Sequence, residues 1–342
     1  MSKKEDEAKD TPVAQRIDIL HLFDCIDGNY NGDPENSNSP RIDPETGQGI
    51  TSDVCSKRMI RNYCSLIYPN DPRRSIFVEH NINLNRVLAE AHESVGNELT
   101  KDFSPNKKQV ASAAAAMTKK FIDVRSFGAV MSTGPNCGQL VGPMQFTPSK
   151  TFDPVQVIDM SITRVAEARD ESDSVENGKK SKKALITAKD YQEYEAKTAE
   201  NKMRTMGRKA FVPYGLFRGH AFVSAYRAKQ TGFTEGDLEL VLDGLENGYE
   251  HARSASKGLM SNKCLLVFRH VGTAGDKEGR EKQAMKGCSH AHRLFALLKV
   301  TKKADVEFPR KFEDYVVEFD HKGLPPGVIL DPRSHINGMP IK

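Results

Sequence analysis

Apolar positions along the chain fall into a few periodic runs. Ile17, Ile19, Leu20, Leu22 and Phe23 make residues 16–26 a mostly apolar stretch and predict a strand. Turn formers follow in Asp27-Gly-Asn-Tyr-Asn-Gly-Asp-Pro34, and the loop runs on through Pro40 and Pro44. Thr51, Ser52 and Asp53 offer N-caps for a helix to about residue 66. At about 100° per residue, Cys55, Met59, Tyr63 and Ile67 form one apolar stripe, with Lys57, Arg58 and Arg61 on the opposite side. Residues 109–120 are alanine-rich and predict a helix. Residues 121–145 read as a glycine-rich loop, punctuated by Gly128, Gly134, Gly138 and Gly142.

The second half repeats the alternation. Residues 160–164 read as a strand, and 167–200 as a charged, exposed arm or partly disordered insertion. Residues 216–226 alternate cleanly, with Phe217, Gly219, Ala221, Val223 and Ala225 on one face and Leu216, Arg218, His220, Phe222 and Ser224 on the other. A face mixing cation, imidazole and aromatic groups suits base stacking and phosphate contact, and equally suits a half-buried sheet. Leu238, Val241, Leu242, Leu245 and Tyr249 keep helical spacing, and 263–270 is a further strand. Strand, helix, strand, strand, helix, strand is the ferredoxin-like α+β order, which RNA-recognition domains also use.

Composition narrows the classes. The chain has 342 residues, 38% hydrophobic and 28% charged, which suits a soluble protein with a modest core. No apolar run approaches the roughly 18 residues a membrane helix needs. The opening Met1 to Asp10 lacks the apolar segment of a signal peptide, so a cytoplasmic location is expected. Six scattered cysteines without a Cys-x-x-Cys pair argue against a disulfide framework. Cys288, His290 and His292 fall short of a four-ligand zinc set, and no metal or cofactor is expected. The glycines lack P-loop and GxGxxG spacing, so nucleotide hydrolysis gains no support.

The net charge of +4 is small, but its distribution is uneven. Residues 54–68, 201–229 and 251–270 contain no Asp or Glu, and the last carries Arg253, Lys257, Lys263 and Arg269. Acids concentrate in 167–200 and toward the C-terminus. Such segregation lets a chain present a basic groove to phosphates despite a modest net charge.

Several segments carry a resemblance. Residues 22–34, Pro40-Arg-Ile-Asp-Pro-Glu-Thr-Gly47 and Thr51-Ser-Asp-Val-Cys-Ser-Lys-Arg-Met-Ile-Arg-Asn62 resemble the CRISPR-associated Cas7 family, and more narrowly its type I-C Cascade backbone subunit. Residues 123–131, 137–139, 161–164, 206–215, 251–255 and 258–260 fit the same family in the same order. The resemblance covers about residues 17–320. It implies a modified RNA-recognition palm with finger and thumb insertions over 16–320, the thumb and charged insertion at about 165–205, a disordered tail over 1–15 and a C-terminal tail over 321–342. It also implies a non-catalytic antiviral-defence protein that stacks in several copies along the guide RNA (crRNA) and presents it for pairing with target DNA. The expected partners are further copies, the guide-processing, large and small Cascade subunits and a recruited helicase-nuclease.

Site residues follow from the matched motifs. Lys57, Arg58 and Arg61 are the expected phosphate contacts. Arg125, Ser126, Phe127, Gly128 and Met131 match an RNA-facing glycine loop. Arg204, Met206, Arg208 and Lys209 border the thumb, with Met206 the candidate wedge between bases. The alternative is a metal-dependent RNA-cleaving subunit like those of type III complexes, for which Asp24, Asp27 or Asp33 would have to serve. A third reading is a general single-strand RNA binder.

Overall fold

The computed structural model describes residues 10–168, 171–176, 179–198 and 204–341. Its centre is β1 (Ile17–Gly28), in which every residue from Ile17 to Cys25 is buried. A strand covered on both faces has no reason to alternate, which is why its sequence is mostly apolar, with Asp18, His21 and Asp24 buried within it. The chain then makes β2 (Gln48–Thr51) and α1 (Asp53–Ile67). Ser52 caps α1 by accepting from the Cys55 N–H at 3.3 Å. The buried face is Ser56, Met59, Ile60, Tyr63 and Cys64. It is turned from the expected stripe, leaving Ile67 exposed at the frayed end.

A separate small core follows. It is built by α2 (Leu84–Ser94), α3 (Lys107–Lys120), α4 (Ile122–Phe127) and a hairpin of β3 (Gly128–Met131) and β4 (Gly138–Val141). Residues 121–145, expected to be a loop, are therefore a short helix and a hairpin. Here the glycines serve the hairpin: Gly128 and Gly138 sit at φ +79° and +82° at opposite ends of its ladder.

The chain returns to the sheet through β5 (Met144–Phe146), β6 (Ser149–Pro154) and β7 (Ile158–Arg164). Strand β8 (Thr205–Val223), helix α5 (Glu235–His251) and strand β9 (Leu259–His270) complete the frame. All pairing is antiparallel, in a ten-stranded sheet with β9, β1, β8 and β6 as successive neighbours and β2 beyond. Phe23 lies opposite Phe217, and Ile19 lies between Ala221 and Val267. Helices α1 and α5 cover one face of this sheet. They meet at Gly244 and Gly248, where Ile60 and Met59 fill the space a side chain would take, and Tyr63 donates to Asp243 at 2.6 Å.

The opposite face is also covered. Helix α6 (Ala291–Phe295) and the hairpin of β10 (Leu298–Lys302) and β11 (Tyr315–Phe319) pack onto it. Their Leu294, Phe295, Leu298 and Tyr315 join Leu20, Leu22, Leu216, Leu266 and Phe268 in a second core. Arg218 donates to the Phe295 carbonyl at 2.6 Å, and His220 stacks on the Phe295 ring at 4.5 Å. The Arg218–His220–Phe222 face is thus internal, and the sequence's suggestion of a base-stacking surface there gives way to core packing.

Both ends of the described residues are tied in. Val13 is buried and donates its N–H to the Phe233 carbonyl at 3.0 Å, while residues 1–9 of the expected tail lie outside the described residues. Beyond residue 321, β12 (Val328–Leu330) and β13 (His335–Ile336) extend the sheet along β9. Arg333 clasps this segment to Glu239 and Glu246 of α5. The charged region 167–200 forms a hairpin, 171–176 with 179–184, and a helix, Ala188–Lys197, where it is described.

Candidate nucleic-acid interface

Where β1 ends, four pieces of chain converge: the loop from Tyr30 to Arg41, the first turns of α1, the C-terminus of α5 and the turn at Lys257–Met260. They enclose a cleft of about 630 Å³. Tyr30 braces it. The phenol donates to the Arg41 carbonyl at 2.6 Å, and the Tyr30 carbonyl accepts from Lys257 Nζ at 3.0 Å. Gly258 holds the turn at φ +64°, where a Cβ would lie 2.3 Å from the Ile26 carbonyl oxygen. Only glycine lets the two backbones approach this closely.

Arg41, Arg58, Arg61, Arg253 and Lys257 line the cleft, and among the described residues no Asp or Glu does. Three of these cations have carboxylate partners: Asp33 meets Arg41 at 3.3 Å and Asp123 meets Arg61 at 2.7 Å, while Arg253 pairs with Glu250. Arg58 is different. One Nη donates to the Val78 carbonyl at 2.7 Å, and among the described residues it has no carboxylate partner. Burial, and then the like charge of Arg61, pull its guanidinium below the ordinary value. A phosphate in the cleft would relieve that repulsion. Asp123 sets this geometry by accepting the Phe77 and Val78 N–H groups at 2.8 and 3.1 Å, which aims the Val78 carbonyl at Arg58.

The expected site residues separate into three groups. Lys57 and Arg61 stand over the Phe127 ring, 5.9 and 5.3 Å from its centre, so α1 and α4 do meet. Lys57 also pairs with Asp53 at 2.9 Å. Arg125, Ser126, Phe127 and Met131 are buried, and Gly128 is half-buried at the start of β3. Arg125 gives its N–H groups to Asp237 and to the Thr118, Lys119 and Arg73 carbonyls, so this cation serves the fold. Arg204, Met206, Arg208 and Lys209 lie apart from the cleft, on the β7–β8 ribbon. Met206 is 75% exposed, Arg208 pairs with Asp159 and Lys209 donates to the Ala255 carbonyl. Arg41 bridges the groups, since a shallower cleft of about 500 Å³ has both Arg41 and Arg208 on its walls. Arg41, Arg253 and Lys257 were not among the expected contacts; the acid-free stretch 251–270 and the motifs around residues 41 and 253 were their signal.

The loop aspartates have other partners. Asp24 is buried, 3.5 Å from Lys263, and burial raises its pKa to about 6 against the pull of that lysine. Asp33 caps the turn at Glu35 and pairs with Arg41, and Asp27 is exposed at φ 49°. Among the described residues no three His, Cys, Asp or Glu side chains gather as a metal set, and no helix is long and apolar enough to cross a membrane.

The fold and the cleft define a mixed α/β protein with a large antiparallel sheet and a cation-lined cleft, among whose described lining residues there is no Asp or Glu. The family model for CRISPR-associated protein Cas7 matches residues 15–320, and the chain belongs to that family. A relative from Haloferax volcanii, described as CRISPR-associated protein Cas7, is 30% identical over 159 residues. That match covers 41% of this chain and 44% of the relative, so less than half of the relative's length is spanned. Among solved structures, a chain of a pre-nicking CRISPR RNA-guided surveillance complex is similar at TM-score 0.42 and 13% identity, over 80% of this chain and 84% of that one. A second CRISPR RNA-guided surveillance complex chain is similar at TM-score 0.34 and 13% identity, over 82% and 80%.

Proposed function

We propose that the protein is the guide-RNA-binding backbone subunit of a type I-C CRISPR interference complex, stacked in several copies along the guide. The observation that carries this reading is the cleft: among the described residues five cations and no carboxylate line it, in a chain of the Cas7 family. Arg41, Arg61 and Arg253 have carboxylate partners, whereas Arg58 and Lys257 have none among the described residues; an RNA backbone would bring them negative charge, and arginine suits it because the planar guanidinium grips two phosphate oxygens at once. The protein would read backbone and shape while base pairing reads sequence.

The sheet supports an RNA-recognition-like palm. Strands β9, β1, β8 and β6 with α1 and α5 on one face have the ferredoxin-like order. Because the other face is covered by α6, β10 and β11, the RNA would run along the end of β1 instead of across the sheet. The α2–α4 unit would be the finger and the β7–β8 ribbon the thumb, with exposed Met206 its wedge. We read the chain as non-catalytic and cytoplasmic. In support of the first, Asp24 is sealed in the sheet and Asp33 is engaged in turn and ion-pair contacts.

The test is to co-express the protein with a CRISPR array and its neighbouring genes, purify it and sequence the RNA it carries. Processed guides of uniform length support the reading. Heterogeneous cellular RNA, or none, contradicts it.

A further inference from the structure

Residues 73–78 form an irregular segment that α4 pins at three points. Arg125 donates to the Arg73 carbonyl at 3.0 Å, and the Ile122 N–H donates to the Ser75 carbonyl at 3.1 Å. The Asp123 carboxylate accepts the Phe77 and Val78 N–H groups at 2.8 and 3.1 Å. Phe77 is buried, its ring 5.9 Å from that of Phe121. Holding two successive peptide groups fixes where Val78 sits, and the Val78 carbonyl is what the segment offers to the cleft: Arg58 donates to it at 2.7 Å. A free arginine side chain samples many rotamers, and ordering it on binding costs entropy. With one Nη held on a fixed carbonyl, Arg58 meets a ligand already aimed, so less of that cost falls on binding.

We infer that Asp123 is a positioning residue for RNA binding: it touches no phosphate itself, and through the Val78 carbonyl it holds Arg58 in the orientation that meets one. This rests on the RNA-binding reading above. Asp123 is 2% exposed and pairs with Arg61 at 2.7 Å, so it acts on RNA only through other groups. The small core, through α4, thereby sets part of the affinity of a cleft built mainly by other elements.

Linkage makes the effect reciprocal: if a firm hold on Phe77 and Val78 favours RNA, bound RNA favours that hold by the same factor. The experiment follows hydrogen exchange of the peptide containing the Phe77 and Val78 amides by mass spectrometry. It uses the full chain, wild type and Arg58→Ala, each without and with a saturating short single-stranded RNA. The inference expects RNA to slow exchange about fivefold or more in wild type, at the lower end of ordinary coupling, and to leave it nearly unchanged in Arg58→Ala. Equal slowing in both proteins, or none in either, overturns it and leaves RNA binding standing. Affinity across a salt series gives the second readout. Asp123→Glu keeps the charge but displaces the carboxylate by one methylene. It should lower the slope of log affinity against log salt by about 0.7, as loss of the Arg58 contact would, and add little to Arg58→Ala. A merely structural role would lower the melting temperature without this non-additivity, so losses that add in the double variant overturn the inference. Should Asp123→Glu fail to fold by circular dichroism, the exchange comparison, made with Asp123 intact, decides. Wild type that binds no RNA overturns the underlying reading as well.

Discussion

Arg125 and Asp237, 112 residues apart, form a bidentate ion pair in the interior: Nε and Nη2 each reach a carboxylate oxygen at 2.7 Å. Both side chains are almost fully buried. The pair ties α4 to the first turn of α5, where Asp237 also accepts the Thr234 N–H at 3.0 Å. Removing one partner of such a pair leaves an uncompensated buried charge. Arg125→Leu is expected to cost about 3–5 kcal/mol in denaturant unfolding. A loss of RNA affinity at unchanged stability would instead mark Arg125 as a contact.

Arg58 and Arg61 are neighbours on α1 with different duties. Arg61 neutralises Asp123, which also anchors the Phe77 and Val78 amides. Arg61→Ala should therefore lower the unfolding midpoint, whereas Arg58→Ala, which removes no ion pair among the described residues, should leave it nearly unchanged and weaken RNA binding. Thermal melts and RNA titrations of the two variants check this; similar melting losses in both would refute the division.

The floor of the cleft depends on Gly258. Gly258→Ala combines an unfavourable φ with a contact of 2.3 Å to the Ile26 carbonyl oxygen, whereas at Gly96, with φ +78°, an added Cβ would meet nothing within 4 Å. Gly96→Ala should cost about 1 kcal/mol and Gly258→Ala clearly more, read from chemical denaturation. Equal costs would show that the turn yields.

His21 gives a pH dependence. It is buried with neither ring nitrogen hydrogen-bonded. Burial first, and His220 second, lower its pKa from 6.5 to about 4. Between these values the unfolded chain binds the extra proton, so the contribution is full above pH 6.5 and lost as pH falls toward 4. The loss is about 3 kcal/mol. His21→Leu should shed it, so the stability gap between wild type and variant should shift by that amount toward the variant from pH 7 to pH 4. Parallel pH profiles would rule the mechanism out.

Local chemistry made β1, α1, α3 and α5 legible: a mostly apolar run, a Ser52 cap, alanine content, and helical spacing from Leu238 to Tyr249. Long-range packing was not legible. Alternation in β8 told Phe217 from Arg218 but not that Phe295 would return to cover the second face. Arg125 was expected in an RNA-facing loop, and its buried carboxylate partner lies 112 residues away in the sequence. The basic stretches were better guides to the cleft: Arg58, Arg61, Arg253 and Lys257 all come from segments without Asp or Glu, and Arg253 and Lys257 were visible in that pattern before their position was.

The central claim is that the cleft's cations hold RNA phosphates. It is tested most directly by measuring the RNA dissociation constant across a salt series for wild type, Arg58→Ala and the Arg58→Ala/Lys257→Ala double variant. Each lost phosphate contact should reduce the slope of log affinity against log salt by about 0.7, with affinity falling in step. Unchanged slopes and affinities in both variants would place the RNA elsewhere on the molecule.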